Sequence, residues 1–80
     1  MKETVRERAQ RVMSAYSVLY PERYSDDTDL KLDMGLDSLD AIEIVMDLEE
    51  EFGFDIDDDV VDGWKTFGDV VRFLEGKVNG

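Results

Sequence analysis

Neither cysteine nor histidine occurs anywhere in the chain. Their absence removes disulfides and thiolate metal sites. It also removes the Cys–His and Ser–His pairings on which much nucleophilic catalysis rests. Basic residues are scarce too, 9 against 21 acidic ones, for a formal net charge of −12. A surface of that sign repels nucleic-acid phosphates and anionic lipid, and it attracts proteins that carry basic patches. No apolar run approaches the ~20 residues of a membrane span, and the charged opening residues do not read as a signal peptide. These absences remove most catalytic classes and point to a soluble, acidic, intracellular helical domain that binds no nucleic acid and does not insert into a membrane.

What is present argues for a packed fold. Of the 80 residues 42% are hydrophobic, and they recur at regular spacing, enough for one small domain over 1–80. Thr4-Val-Arg-Glu7 has the spacing of a capping box. Val5, Ala9, Val12, Met13 and Tyr16 follow at helical intervals, predicting a first helix over about 4–17 whose outer face carries Arg6, Arg8 and Arg11. Pro21 and Ser25-Asp-Asp-Thr28 open a long connection in which Leu30, Leu32 and Met34 are expected to anchor on the helices. Their period-two spacing allows a short strand, which would have no partner.

From Ser38 to about Phe52 the residues Leu39, Ile42, Val45, Met46, Leu48 and Phe52 read as a broad buried stripe, closed by Gly53. Phe54 and Ile56 tie down an acidic loop, and a short turn or helix over about 58–63 presents Val60 and Val61. Thr66-Phe-Gly-Asp69 resembles a second capping box. It opens a last helix buried through Val70, Val71, Phe73 and Leu74, with Asn79-Gly80 frayed. The fold class is all-α: a small antiparallel bundle of three longer helices and one short one, with a long loop after the first helix. Between Asp26 and Asp62 there are 16 acidic residues and one lysine, Lys31, so the middle of the chain holds most of the negative charge.

Acidic clusters suggest calcium, but an EF-hand loop needs glycine at its sixth position and glutamate at its twelfth. Starting at Asp55 these are Val60 and Thr66, and starting at Asp27 the sixth is Leu32. No dedicated metal site is expected, only loose divalent binding among Asp37, Asp40 and the carboxylates near Glu49. Met34-Gly-Leu lacks the second glycine and the lysine of a P-loop. Paired carboxylates on solvated helix faces lack the partly dry pocket that acid–base catalysis needs.

Ser38 is left. A serine before an amphipathic helix is commonly a cap, but Asp37 is already an adequate one. Ser38 then falls on the first helical position with its hydroxyl outward, and Asp40, Glu43, Asp47 and Glu50 run away from it as an acidic strip. With no histidine in the chain, chemistry at Ser38 requires activation by another protein.

Asp33-Met-Gly-Leu-Asp-Ser-Leu-Asp-Ala-Ile-Glu-Ile-Val-Met-Asp-Leu-Glu-Glu-Glu-Phe52 closely resembles the acyl carrier protein family, in its freestanding, fatty-acid-synthase form. The family's Asp-Ser-Leu triplet is reproduced by Asp37-Ser38-Leu39, and Thr66-Phe-Gly-Asp-Val-Val-Arg-Phe-Leu74 extends the similarity. The resemblance implies that a phosphopantetheinyl transferase attaches 4′-phosphopantetheine covalently to Ser38, and that the arm's thiol carries acyl groups as thioesters. It also implies that Asp37, Leu39, Asp40, Glu43, Met46, Glu49 and Glu50 dock the transferase and acyl-chain-processing enzymes through basic patches.

An acyl chain folded between the helices would, by the same resemblance, meet Met13, Ile42, Met46, Ile56, Val61, Phe67 and Val70, each equally a plain core residue. Trp64 stands where relatives hold a smaller aliphatic residue, which would narrow or reshape such a cavity. Lys31 and Leu32 stand where acids are frequent. The competing reading of the same residues is an unmodified acidic adaptor that docks basic partners through the second helix.

Overall fold

Three of the four helices start on a reciprocal box, in a computed structural model that describes residues 2–80. At the head of α1 (Val5–Ser14) the Thr4 hydroxyl accepts from the Glu7 N–H at 3.1 Å, and the Glu7 carboxylate accepts from the Thr4 N–H at 2.9 Å. Asp37 with Asp40 does the same for α2 (Ser38–Phe52), and Thr66 with Asp69 for α4 (Phe67–Asn79). Each box satisfies donors that a helix start otherwise leaves open, and losing its cap costs about 1 kcal/mol. α3 (Asp58–Asp62) has no such cap. Gly53 ends α2 at φ +77°, in the left-handed region that glycine enters without strain.

The first helix stops two residues before Tyr16, the last residue of its apolar periodicity. The N–H groups of Tyr16 and Ser17 both donate to the Met13 carbonyl, at 3.0 and 3.1 Å. This turn closes the helix while keeping Tyr16 against the core. At the other end α4 continues through Asn79, and the Gly80 N–H donates to the Gly76 carbonyl at 2.9 Å, so the expected fraying there is not seen.

α1 packs against both α2 and α4. Ala9 and Met13 meet Ile44 and Leu48 of α2 and Phe67, Val70, Val71 and Leu74 of α4 in one core, with Tyr24, Met34, Leu36 and Ile56 supplied by the connections. Removing each large side chain of this group from water stabilises the fold by ~1.5–3 kcal/mol. Tyr24 lies against Phe67 with ring centroids 5.0 Å apart, fixing the long connection to the start of α4.

Backbone bonds complete that attachment. The Phe67 N–H donates to the Thr28 carbonyl at 2.9 Å, the Gly68 N–H to the Asp26 carbonyl at 3.1 Å, and the Leu30 N–H to the Lys65 carbonyl at 3.0 Å. A single antiparallel bridge, Asp29 to Thr66, is the extent of strand-like pairing among the described residues. The approach at Gly68 is so close that a Cβ there would stand 2.6 Å from the Asp26 carbonyl oxygen. Of the three anticipated anchors, Met34 is buried and Leu30 half-buried, but Leu32 is 86% exposed. The turn made when the Leu36 N–H returns to the Leu30 carbonyl faces Leu32 outward.

The buried register of α2 also differs from the expected one. Ile44 and Leu48 face the core, flanked by half-buried Ala41, Val45 and Phe52, whereas Leu39, Ile42 and Met46 are 65%, 59% and 61% exposed. The arginines of α1 are not a free outer face either. Arg8 and Arg11 both pair with Glu51 of α2, at 2.9 and 3.0 Å, and Arg8 covers the Phe52 ring. Arg6 pairs with Asp26 at 2.7 Å. The neighbouring guanidinium groups, Arg11 first and Arg8 second, hold the Glu51 carboxyl below its ordinary range.

Tyr16 donates a short hydrogen bond to Asp47, joining the end of α1 to α2. That bond, with smaller effects of burial and nearby acids, pushes the phenol up to about 12. A raised folded-state pKa means the stabilisation is whole below the ordinary tyrosine value near 10. It is lost as pH climbs from there through about 12. Ultraviolet titration of the phenolates should therefore show a late tyrosine that moves down in Asp47→Asn. If its midpoint is unchanged in that variant, Asp47 is not the cause.

Candidate functional site

Ser38 is presented between two buried anchors. Before it, Met34 and Leu36 enter the core; after it, Ile44 does, while Asp37, Ser38 and Leu39 all stay exposed. The turn that delivers it is held by Asp29, whose Oδ1 accepts from the N–H groups of Lys31 and Leu32, each at 2.8 Å. Those two bonds depress the Asp29 carboxyl. Gly35 makes the last reversal at φ +70°, with a Val18 methyl 3.2 Å from where a Cβ would stand.

The cap of α2 belongs to Asp37, whose Oδ1 accepts from the Asp40 N–H at 2.8 Å while Asp40 Oδ2 accepts from the Asp37 N–H at 3.1 Å. Ser38 is thus the first residue of the helix, and no described group hydrogen-bonds its Oγ. The N–H groups of Ser38 and Leu39 likewise have no described acceptor. A phosphate ester on Oγ would sit at the positive end of a 15-residue helix beside two open donors. The serine and its surroundings therefore fit a phosphodiester-linked group.

Beside Ser38 lies a largely apolar cavity of about 580 Å³, closed below by Met13, Ile44 and Val70 and on its sides by Leu30, Leu36, Val61 and Trp64. Of the residues named above as possible lining, Met13, Val61 and Val70 do line it. Ile56 and Phe67 are buried elsewhere in the core, and Ile42 and Met46 point to solvent because α2 is rotated from the expected register. Trp64 forms part of the wall, held edge-on by Phe73 at 5.7 Å. An acyl chain would fit the cavity chemically, being apolar and unbranched.

The exposed side of α2 combines Leu39, Ile42 and Met46 with Glu43 and Glu50. Not every acid of the helix is free for a partner. Asp47 accepts from Tyr16, Glu51 is held by two arginines, and Glu49 Oε2 accepts from the Ile56 N–H at 2.7 Å. Glu49 is thereby drawn toward the following loop and away from Asp37 and Asp40. Among the described residues no group of three or more histidine, cysteine, aspartate or glutamate side chains is placed to hold a metal ion. Ile42 is the surface residue that sequence reasoning missed. The signal was available, since residues 39, 42 and 46 repeat at helical spacing beside a second stripe at 41, 44, 45, 48 and 52.

Comparison with known proteins agrees with this geometry. The family model described as "Phosphopantetheine attachment site" matches residues 3–74. An acyl carrier protein from Sinorhizobium fredii is 39% identical over 71 residues, which is 89% of this chain and 91% of that one. Another from Nitrobacter hamburgensis is 41% identical over 69 residues, 86% of this chain and 87% of that one. With such likeness along nearly its whole length, the chain belongs to the acyl carrier protein family, whose members carry acyl groups on covalently attached 4′-phosphopantetheine.

Proposed function

We propose that Ser38 is the attachment residue, and that the chain is a single-domain, monomeric, cytoplasmic carrier with no catalytic activity of its own. It presents thioesters to enzymes of fatty acid or related lipid or polyketide synthesis. The observation that carries the reading is an exposed Ser38 Oγ without hydrogen-bond partners among the described residues, on a helix start already capped by Asp37 and next to an apolar cavity.

In a transferase active site, Ser38 Oγ attacks the phosphorus of coenzyme A that bears pantetheine. The serine oxygen–phosphorus bond forms, the pyrophosphate bond breaks with adenosine 3′,5′-bisphosphate as the leaving group, and the serine proton passes to a base of the transferase. The attached group then supplies a thiol that forms thioesters. The chain's own residues position and recognise. Asp37 and Asp40 hold the helix start, and Met34 and Leu36 keep the serine outside the core.

Leu39, Ile42 and Met46 give partners an apolar strip, and Asp37, Asp40, Glu43 and Glu50 draw basic patches toward it, while Glu49 is held by the Ile56 N–H. Charge of this kind raises association rates more than affinity, which suits a carrier that visits several enzymes.

The test is intact mass after incubation with coenzyme A and a broad-specificity transferase. The wild type should gain one phosphopantetheine group and Ser38→Ala none. A wild type left unchanged by several competent transferases would instead support the unmodified adaptor, for which the exposed strip of α2 would serve equally well.

A further inference from the structure

Of the nine cations, five have no ion-pair partner among the described residues: Lys2, Arg23, Lys31, Lys65 and Lys77. Arg6, Arg8, Arg11 and Arg72 are each engaged by a carboxylate. Lys31 and Lys65 are exposed on the rim of the cavity beside Ser38, and among the described residues neither ammonium has an ion-pair partner. In a chain with 21 acids, two unpaired cations at one opening require an account.

The backbone brings the two lysines together. Lys31 lies two residues beyond Asp29, and Lys65 directly precedes Thr66, the two ends of the single antiparallel bridge. The Leu30 N–H donates to the Lys65 carbonyl at 3.0 Å. Both side chains therefore leave from one stitched junction. Two neighbouring carboxylates accept from backbone donors, and the charge of Lys31 also helps to lower the Asp29 carboxyl. Asp29 Oδ1 accepts from Lys31 and Leu32 N–H, and Asp69 Oδ2 accepts from Lys65 and Thr66 N–H at 2.9 and 3.1 Å. Asp69 Oδ1 takes Arg72 at 2.6 Å. Of the other acids on the rim, Asp37 caps α2, and Asp62 stands on uncapped α3.

We propose that Lys31 and Lys65 are a receiving pair for an anionic group on the arm attached to Ser38, and that they lay the arm across the cavity mouth. This rests on attachment at Ser38. The shared chemistry is an anionic oxygen cluster, and two sources supply it: the phosphodiester of the arm itself, or a carboxylate at the end of the carried acyl group. An ammonium is a point charge on a flexible stem, which can follow an anion at the end of a mobile tether. Cations at the rim also place the charged part of the ligand outside and the apolar part inside, consistent with the lining of the cavity.

Trp64, the only tryptophan, lines the same cavity and reports on its occupation. The experiment compares apo protein with forms loaded from coenzyme A, butyryl-coenzyme A and malonyl-coenzyme A. Loading is confirmed by intact mass, and each change in Trp64 emission is referred to the same variant's apo form. The wild type, the Lys31→Gln/Lys65→Gln pair and the Lys31→Arg/Lys65→Arg pair are carried through together, with circular dichroism confirming the fold of each.

Loading should shift the emission of the wild type. The glutamine pair should lose at least half of the shift, and the arginine pair should keep it. Lysine dependence in all three loaded forms assigns the phosphodiester, and dependence in the malonyl form alone assigns the cargo carboxylate. Either result upholds the pair. Equal shifts in wild type and glutamine pair, or no shift in any loaded form, overturn it while leaving attachment intact. A mass that never increases overturns attachment, and the pair with it.

Discussion

Phe67→Ala lowers the unfolding free energy by about 3–5 kcal/mol, the usual cost of emptying a buried aromatic site. For a domain of this size, whose total stability is on the order of 5–15 kcal/mol, that removes a large fraction. Phe67 is fully buried at the first position of α4, and its ring has neighbours on more than one side. Tyr24 lies 5.0 Å away, and the Arg6 guanidinium sits over the ring at 5.2 Å. Its N–H also holds the Thr28 carbonyl.

The site cannot close easily around the gap, because Gly68 next to it already touches the Asp26 backbone. The loss should thus reach the connection that delivers Ser38. Urea unfolding followed by circular dichroism measures it. A loss below about 1 kcal/mol would mean that the ring contributes little beyond its own surface.

Ile42→Ala is expected to act in the opposite way, leaving the fold intact and weakening partner binding. The side chain is mostly solvated in the free protein, so stability should change by no more than about 0.5 kcal/mol. Between Leu39 and Met46 it occupies the middle of the exposed strip, where apolar anchors of an interface commonly stand. A central anchor is worth about 2 kcal/mol or more, roughly a thirtyfold loss in affinity. Titration against the transferase, with thermal melting as the control, tests both halves. Unaltered affinity would place docking elsewhere on the molecule, and a large fall in melting temperature would return Ile42 to the core.

Which features were legible in the sequence follows from how local they are. The three capping boxes each lie within four residues, so Thr4, Asp37 and Thr66 could be placed without any knowledge of packing. The same holds for Ser38 at the first helical position. The face of α2 was harder. Leu39, Ile42 and Met46 form one apolar stripe and Ala41, Ile44, Val45, Leu48 and Phe52 another, so hydrophobicity nearly encircles the helix. The choice between them is made by α1, through Ala9, Met13 and the pairing of Arg8 and Arg11 with Glu51.

Leu32 was misread for a similar reason. A period of two is informative in a strand, and this segment is a hydrogen-bonded turn. The cavity lay beyond sequence reasoning as a shape, because its walls come from all four helices and two connections. Met13, Val61 and Val70 could be named as candidates, but so could residues that turned out to face water.

The arrangement at the head of α2 bears on timing. Because Asp37 supplies the cap, with Asp40 closing the box, the Ser38 hydroxyl bonds to no described group. Esterifying it breaks nothing. With attachment at Ser38, as proposed, the folded chain can exist before modification and keep the same fold after it. A serine that capped its own helix would have tied the life of the fold to the state of its cargo, and moving that duty one residue upstream makes the two independent.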